Sequence, residues 1–268
     1  TTTWKMCKMN LAIRGLEGNL GETADTFTND QHPTLRADFI MANPPFNLKV
    51  WGHDQLIDDP RWKYGIPPES NANFAWMQHM IHHLAPKGRI GLVLANGSLS
   101  SQTGGEGEIR KNIIEADLVE GIVALPSQLF YSTGIPVCLW FLAKDKPQKG
   151  KTVFIDARND YGVMVTRRLR ELQDDDIKDL ADIFDEFRRG VLKPFPGICA
   201  VATTEEIAKQ DYVLTPGRYV GIADEEEDEE SYEEKVARLS SEISDLFKQS
   251  RIQEEEIRMQ LSKIGINL

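Results

Sequence analysis

Apolar and polar positions follow two different periods along this chain. Phe39–Ala42, Arg89–Ala95 (RIGLVLA), Leu118–Leu125, Val137–Ala143 (VCLWFLA) and Lys151–Ala157 (KTVFIDA) are short, near-continuous apolar runs bounded by turn residues. That is the pattern of strands buried on both faces. Between them the spacing shifts to three and four. Phe74, Met77, Ile81 and Leu84 line one side of a helix over Asn73–Leu84, closed by a Pro-Lys-Gly, and Glu106–Ala116 reads as a second helix. The opening residues place Met6, Met9, Ile13 and Leu16 at helical spacing, ended by Gly15 and Gly18. Strands alternating with helices predict a doubly wound α/β sheet, mainly parallel. The last two apolar runs follow so closely that an antiparallel hairpin is expected there.

After Ala157 the texture changes. Asp174–Arg189 (DDDIKDLADIFDEFRR) starts with acids and ends with bases, as a helix matching its own dipole does. Thr204–Gln210 reads as a short helix, and YVLTPGRYVG as a turn-rich segment. From Tyr232, apolar residues recur at Val236, Leu239, Ile243, Leu246, Ile257, Leu261 and Ile264, a heptad stripe interrupted by Ser250 and Gln253. A solitary helix cannot bury such a stripe, so it calls for a partner. The expected division is 1–157 for the sheet, 158–223 for a helical, turn-rich extension, and 224–268 for an acidic linker with a long contact helix.

Composition changes this picture little. With 268 residues, 41% apolar and 27% charged, the chain suits a globular protein and has no run long enough to span a membrane. Its three cysteines, Cys7, Cys138 and Cys199, are scattered, which fits a reducing cytoplasm. The net charge of −11 is concentrated: nine acids and no base lie in residues 224–234, leaving −2 for the remainder. The body neither demands nor forbids a polyanionic partner.

The chemistry gathers at residues 38–47, DFIMANPPFN. Two prolines stop the strand, remove two N–H donors and hold Asn43 in a stiff extended turn. In open α/β sheets, ligands bind at the carboxyl ends of the strands. Asn43 Oδ1 and the Pro44 carbonyl are two adjacent acceptors, matched to the two donors of an exocyclic amine. Pro45 stiffens the turn, and Phe46 offers a stacking face worth ~1–3 kcal/mol per base. Drawing both hydrogens of an adenine amine toward acceptors favours a tetrahedral nitrogen with a localised lone pair, able to attack an electrophilic methyl directly. No covalent intermediate is required, and the chain has no Pro-Cys nucleophile; IPVC lies within a strand.

Asn-Pro-Pro-Phe after a strand resembles the catalytic motif of DNA adenine-N6 methyltransferases. WKMCKMNLAIRGLEGNLG, DDPRWKYGIPPESNANFAWMQHMIHHLAPKGRIGLVLANGSLSS, LPSQLFYSTGIPVCLWFLAKDK, FIDAR and LTPGRYVG together resemble the modification (HsdM) subunit of type I restriction–modification systems over essentially the whole chain. The resemblance implies a Rossmann-like, S-adenosylmethionine-dependent methyltransferase sheet lacking its N-terminal strands, followed by a C-terminal helical extension. It implies Asn43, Pro44, Pro45 and Phe46 as catalytic residues, with Asn43 and Asp25 on the cofactor side. Phe130 and Tyr131 would stack on a flipped base, since a base is methylated only once out of the helix. The implied partners are DNA, the sequence-specificity subunit through the C-terminal helix, the restriction subunit and a second modification subunit. No G-x-G-x-x-G stretch occurs in the chain, so the main cofactor cradle is expected outside it, and the chain is expected to be inactive alone. The alternatives are an interaction module only, or methylation of RNA or of a protein glutamine.

Other features read more plainly. The loop from Trp51 to Asn73, with Arg61 and Lys63, is equally suited to DNA contact and to packing. SSQTGGEGE (100–108) reads as a flexible loop. His79, His82 and His83 share a helix, but without the Glu of H-E-x-x-H or a Cys partner no metal is expected.

Overall fold

The computed structural model describes residues 1–222 and 232–263, and the chain divides into two compact units, Thr1–Ala223 and Asp224–Leu268. In the first, α1 (Thr2–Ile13) precedes strand β1 (Ala37–Ala42). Then come α2 (Asn73–His83), β2 (Leu84–Ala95), α3 (Glu106–Glu115), β3 (Val119–Ala124), β4 (Val137–Ala143) and β5 (Lys151–Asp156). A two-strand ribbon, β6 (Val163–Met164) and β7 (Arg170–Glu171), leads to α4 (Asp174–Arg189), β8 (Cys199–Thr203) and α5 (Thr204–Ala208). The main sheet has six strands in the order β1-β2-β4-β3-β5-β8. Strands β1, β2, β3 and β5 share one direction, while β4 and β8 run against them.

Side chains along the central strands alternate between two apolar cores, as a period of two dictates. Leu92, Leu94, Ile122, Cys138, Trp140 and Phe154 face α2 and α3. Val123, Val153 and Ile155 face α4, joined by the half-buried Val93, Leu139 and Phe141. Gly121 makes room for α4: a Cβ there would lie 2.5 Å from a Phe184 ring carbon and 2.7 Å from Val153 Cγ1. Gly121→Ala is expected to cost about 1–3 kcal/mol through overpacking, read as a lower denaturation midpoint. Arg188 of α4 bonds the buried carboxylate of Glu120 twice, at 3.0 Å each. Arg188→Ala leaves that carboxylate with only the more distant Arg89, at 3.7 Å, and is expected to cost about 3 kcal/mol.

Two expectations need correction. The runs at 137–143 and 151–156 do not form a hairpin: β4 lies between β2 and β3, antiparallel to both, and β5 pairs with β3 and β8. All these strands are apolar on both faces, so their pattern does not say who pairs with whom. β2 begins at Leu84, directly after α2, with a register shift opposite Ala37–Phe39 that carries the Pro-Lys-Gly. Cys199–Thr203 adds a further strand, β8, at the far edge.

α1 buries none of its residues; Met6, Met9 and Ile13 are exposed. On the outer strand β1, Phe39 and Met41 are likewise exposed. The second unit is the helix α6 (Tyr232–Lys263), with Val236, Leu239, Ile243, Leu246 and Ile257 exposed. Ile264 and the acidic run up to Ser231 lie outside the described residues. No helix among the described residues is long and apolar enough to cross a membrane.

Candidate functional site

Because four strands run the same way, the carboxyl ends of β1, β2, β3 and β5 lie along one edge of the sheet. β4, running opposite, starts at that edge. The Asn43–Phe46 turn leaves β1 there, just beyond Ala42, which pairs with Leu92. The loop between β3 and β4, which carries Phe130 and Tyr131, is brought to the same edge, where Asn96 N–H donates to the Pro136 carbonyl at 3.3 Å. Residues more than eighty apart in sequence therefore meet by topology alone.

Pro44 is buried and anchors the turn, whereas Asn43 and Pro45 are exposed. Neither Asn43 Oδ1 nor the Pro44 carbonyl is committed to an internal hydrogen bond among the described residues. Two cavities of the first unit lie elsewhere: one of about 320 Å³ between α4 and strands β3 and β4, and one of about 290 Å³ beside the end of α2. The turn itself faces solvent rather than a closed chamber.

Phe46 is half-buried and meets Phe130 edge-to-face, with ring centroids 6.2 Å apart at 68°. The two rings touch each other here, so Phe130 braces Phe46 instead of standing off as the second wall of a slot. Tyr131, next along the loop, is 91% exposed.

Asp25 sits at the start of a turn whose N–H groups it caps. Its Oδ1 accepts from Phe27 N–H and Thr28 N–H, both at 2.9 Å, and from the Thr28 hydroxyl at 3.2 Å. That oxygen is committed to the loop. The turn carries Phe27, buried among Trp51, Trp62 and Trp76. Arg61 is buried with them: it bonds both oxygens of Asp59 and the carbonyls of Thr26 and Phe27. Of the two readings open for the Trp51–Asn73 loop, packing holds for Trp51, Arg61 and Trp62, while Lys63 is exposed. The 100–108 loop is pinned as well, by Arg110 donating to the Ser101 carbonyl at 2.7 Å.

Asp30, His79 and His83 bring one possible ligand atom each within 4.8 Å of the others. Arg61 Nη1 donates to His79 Nδ1 at 3.1 Å. A guanidinium cannot accept, so the His79 proton is left on Nε2. Burial first, then the neighbouring His83 and Arg61 charges, push the His79 pKa down to about 4. His83 lies between two acceptors, Asp30 Oδ2 at 2.8 Å and the Leu35 carbonyl at 3.2 Å. Burial opposes ionisation of Asp30, but the His32 N–H and His83 outweigh it and hold its pKa below the usual value. This network ties the Asp25–Leu35 loop to α2.

Cys138 is buried in β4, and burial pushes its thiol pKa up to about 12. It is no nucleophile. Cys199 is buried and shifted upward by the same cause, while Cys7 is exposed. Alkylation of the folded chain near pH 8 is expected to label Cys7 alone, and all three after denaturation; mass spectrometry reads the difference.

Three asparagines escaped the sequence reading. Asn47 and Asn73 bond each other at the exit of the turn. Asn96, at the end of β2, keeps its side-chain oxygen buried without a partner. The available signal was an asparagine following the aromatic of the motif, since Asn tolerates the left-handed backbone that ends such turns.

The family model for N-6 DNA methylases matches residues 1–228. The HindI methylase subunit of a type I restriction enzyme from Haemophilus influenzae is 52% identical over 266 residues, covering 98% of this chain and 60% of its own length. The MjaIX methylase subunit from Methanocaldococcus jannaschii is 43% identical over 272 residues, covering 97% of this chain and 47% of its own length. The chain thus spans roughly half to three-fifths of these relatives. Among solved structures, a type I methyltransferase subunit from Streptococcus thermophilus superposes with a TM-score of 0.73 at 27% identity, covering 82% of this chain and 47% of its own. The EcoKI M protein, at 18% identity and a TM-score of 0.63 over 84% of this chain and 53% of its own, shares the fold. With its family match spanning both the Asn-Pro-Pro-Phe turn and the sheet that presents it, this chain belongs to the N-6 DNA methylase family.

Proposed function

We propose that this chain is the base-handling part of a modification subunit of a type I restriction–modification system, acting on N6 of an adenine extruded from DNA. The observation that carries this reading is the pair of unsatisfied acceptors, Asn43 Oδ1 and the Pro44 carbonyl, at the carboxyl end of β1. They take the two hydrogens of the adenine amine and concentrate its lone pair on nitrogen. Phe46 supports the ring, and Tyr131 closes on it. The proposed partners are DNA, the specificity subunit through α6, the restriction subunit and a second modification subunit.

S-adenosylmethionine, when bound, supplies the electrophilic methyl group. The residues present do not build its cradle: the sequence has no G-x-G-x-x-G stretch, and Asp25 commits Oδ1 to its own loop. Asp25 Oδ2 is the atom we assign to the donor side. Isothermal calorimetry of this chain with S-adenosylmethionine is expected to give no tight binding; micromolar affinity would show that the cradle is here after all. The proposed activity is tested with the full-length subunit assembled with its specificity subunit. Nucleoside mass spectrometry of the methylated DNA should show N6-methyladenine as the product. N4-methylcytosine, or no methylated base, refutes the assignment.

A further inference from the structure

The turn that presents the two acceptors is exposed, yet it must hold them within a fraction of an ångström of their working positions. Its entrance is fixed by the β1–β2 ladder. Its exit is not part of any strand or helix. After Phe46 the backbone turns at Asn47 with φ +54°, a left-handed conformation that costs a side-chain-bearing residue energy and needs support. The support comes from Asn73, twenty-six positions on. Asn47 N–H donates to Asn73 Oδ1 at 3.0 Å, and Asn73 Nδ2 donates to Asn47 Oδ1 at 2.9 Å. The next residue joins in: Ala72 N–H donates to the Leu48 carbonyl at 2.9 Å.

We infer that the Asn47–Asn73 pair is a clasp that positions Asn43 and Pro44 for adenine, with Asn73 as the positioning residue of the site. This rests on the base-handling reading above. Asn73 opens α2 and is 4% exposed, and the neighbouring Phe74 and Met77 are wholly buried in the core. The turn is therefore mounted at two points, one on a strand and one on a packed helix. The bond directions are set by chemistry. A backbone N–H can only donate, so the oxygen of Asn73 faces Asn47 and its NH2 faces the Asn47 side-chain oxygen. Asn73 needs both an acceptor and a donor, whereas Asn47 contributes only an acceptor from its side chain. An aspartate therefore fits at 47 and fails at 73, where it would set two oxygens against each other.

The test uses the full-length subunit assembled with its specificity subunit, measuring kcat, KM for DNA, thermal midpoint and the fluorescence of 2-aminopurine at the target base. Asn73→Asp is expected to lower kcat about 100-fold, with KM for DNA and the thermal midpoint little changed and the flipped-base fluorescence altered. Asn47→Ala is expected to lower kcat about tenfold, and the conservative Asn47→Asp to restore most of that loss. A kcat within threefold of wild type for Asn73→Asp overturns the clasp, as does an Asn47→Asp no better than Asn47→Ala. Should Asn73→Asp fail to fold, the two variants at the exposed Asn47 decide alone. Asn43→Ala separates the two claims. If it is inactive while Asn73→Asp behaves as wild type, only the clasp falls; if it stays active, the base-handling reading falls and the clasp with it.

Discussion

Asn43→Ala, introduced into the full-length subunit and assembled with its partners, is expected to lower methyl transfer to adenine by about 10²–10³-fold or more. The side chain is exposed and forms no internal hydrogen bond, so its removal breaks nothing that holds the fold. What is lost is one of two acceptors acting on the amine as its nitrogen becomes tetrahedral. Deleting one preorganised polar group from a site of this kind costs roughly 3–4 kcal/mol of transition-state stabilisation. Subunit assembly and thermal midpoint should match the wild type. Asn43→Asp, which keeps an acceptor in the same place, should lose less. The readout is a single-turnover rate with target DNA in excess of background sites.

The second large effect concerns α6. Leu239 and Leu246 stand one heptad apart on a helix whose apolar side chains are exposed within its own unit. Burying a leucine is worth about 1.5–3 kcal/mol, and placing a carboxylate in the same apolar seam adds a desolvation cost. The double variant Leu239→Asp, Leu246→Asp should weaken association with the specificity subunit by about 10³-fold or more. The sheet should remain folded, because Thr1–Ala223 forms a compact unit of its own. Size-exclusion chromatography of the mixed subunits reads this; co-elution unchanged from wild type contradicts the assignment of α6 as the contact.

Much of this was legible in the residues. Leu92, Leu94, Ile122 and Phe154 sit in runs too apolar and too short for anything but central strands, and the prolines at 44 and 45 mark a rigid stop wherever they occur. The helix of Asp174–Arg189 was readable from its charged ends, and the structure adds Gly190 as its left-handed cap. Pairing was not legible. β4 and β5 are neighbours in sequence but β3 lies between them, because strands apolar on both faces carry no mark of their partners. Nor did periodicity reveal the Asn47–Asn73 pair, since a polar contact between a turn and a helix leaves no repeat. Asp25 suits a ligand by its sequence position, yet its Oδ1 caps a turn; an acid near a site and an acid that shapes a loop look alike in one sequence. Arg61 reads equally well as a DNA contact or as packing until the burial of its guanidinium against Asp59 and two carbonyls is seen.

On the proposed function, two oxygens hold the amine of an extruded adenine. The most direct measurement is a structure of the full-length subunit with its specificity subunit and target DNA. N6 of the flipped adenine is expected at about 3 Å from both Asn43 Oδ1 and the Pro44 carbonyl, with Phe46 against the ring. An adenine bound with its amine turned away from that pair, or held by other residues, contradicts it.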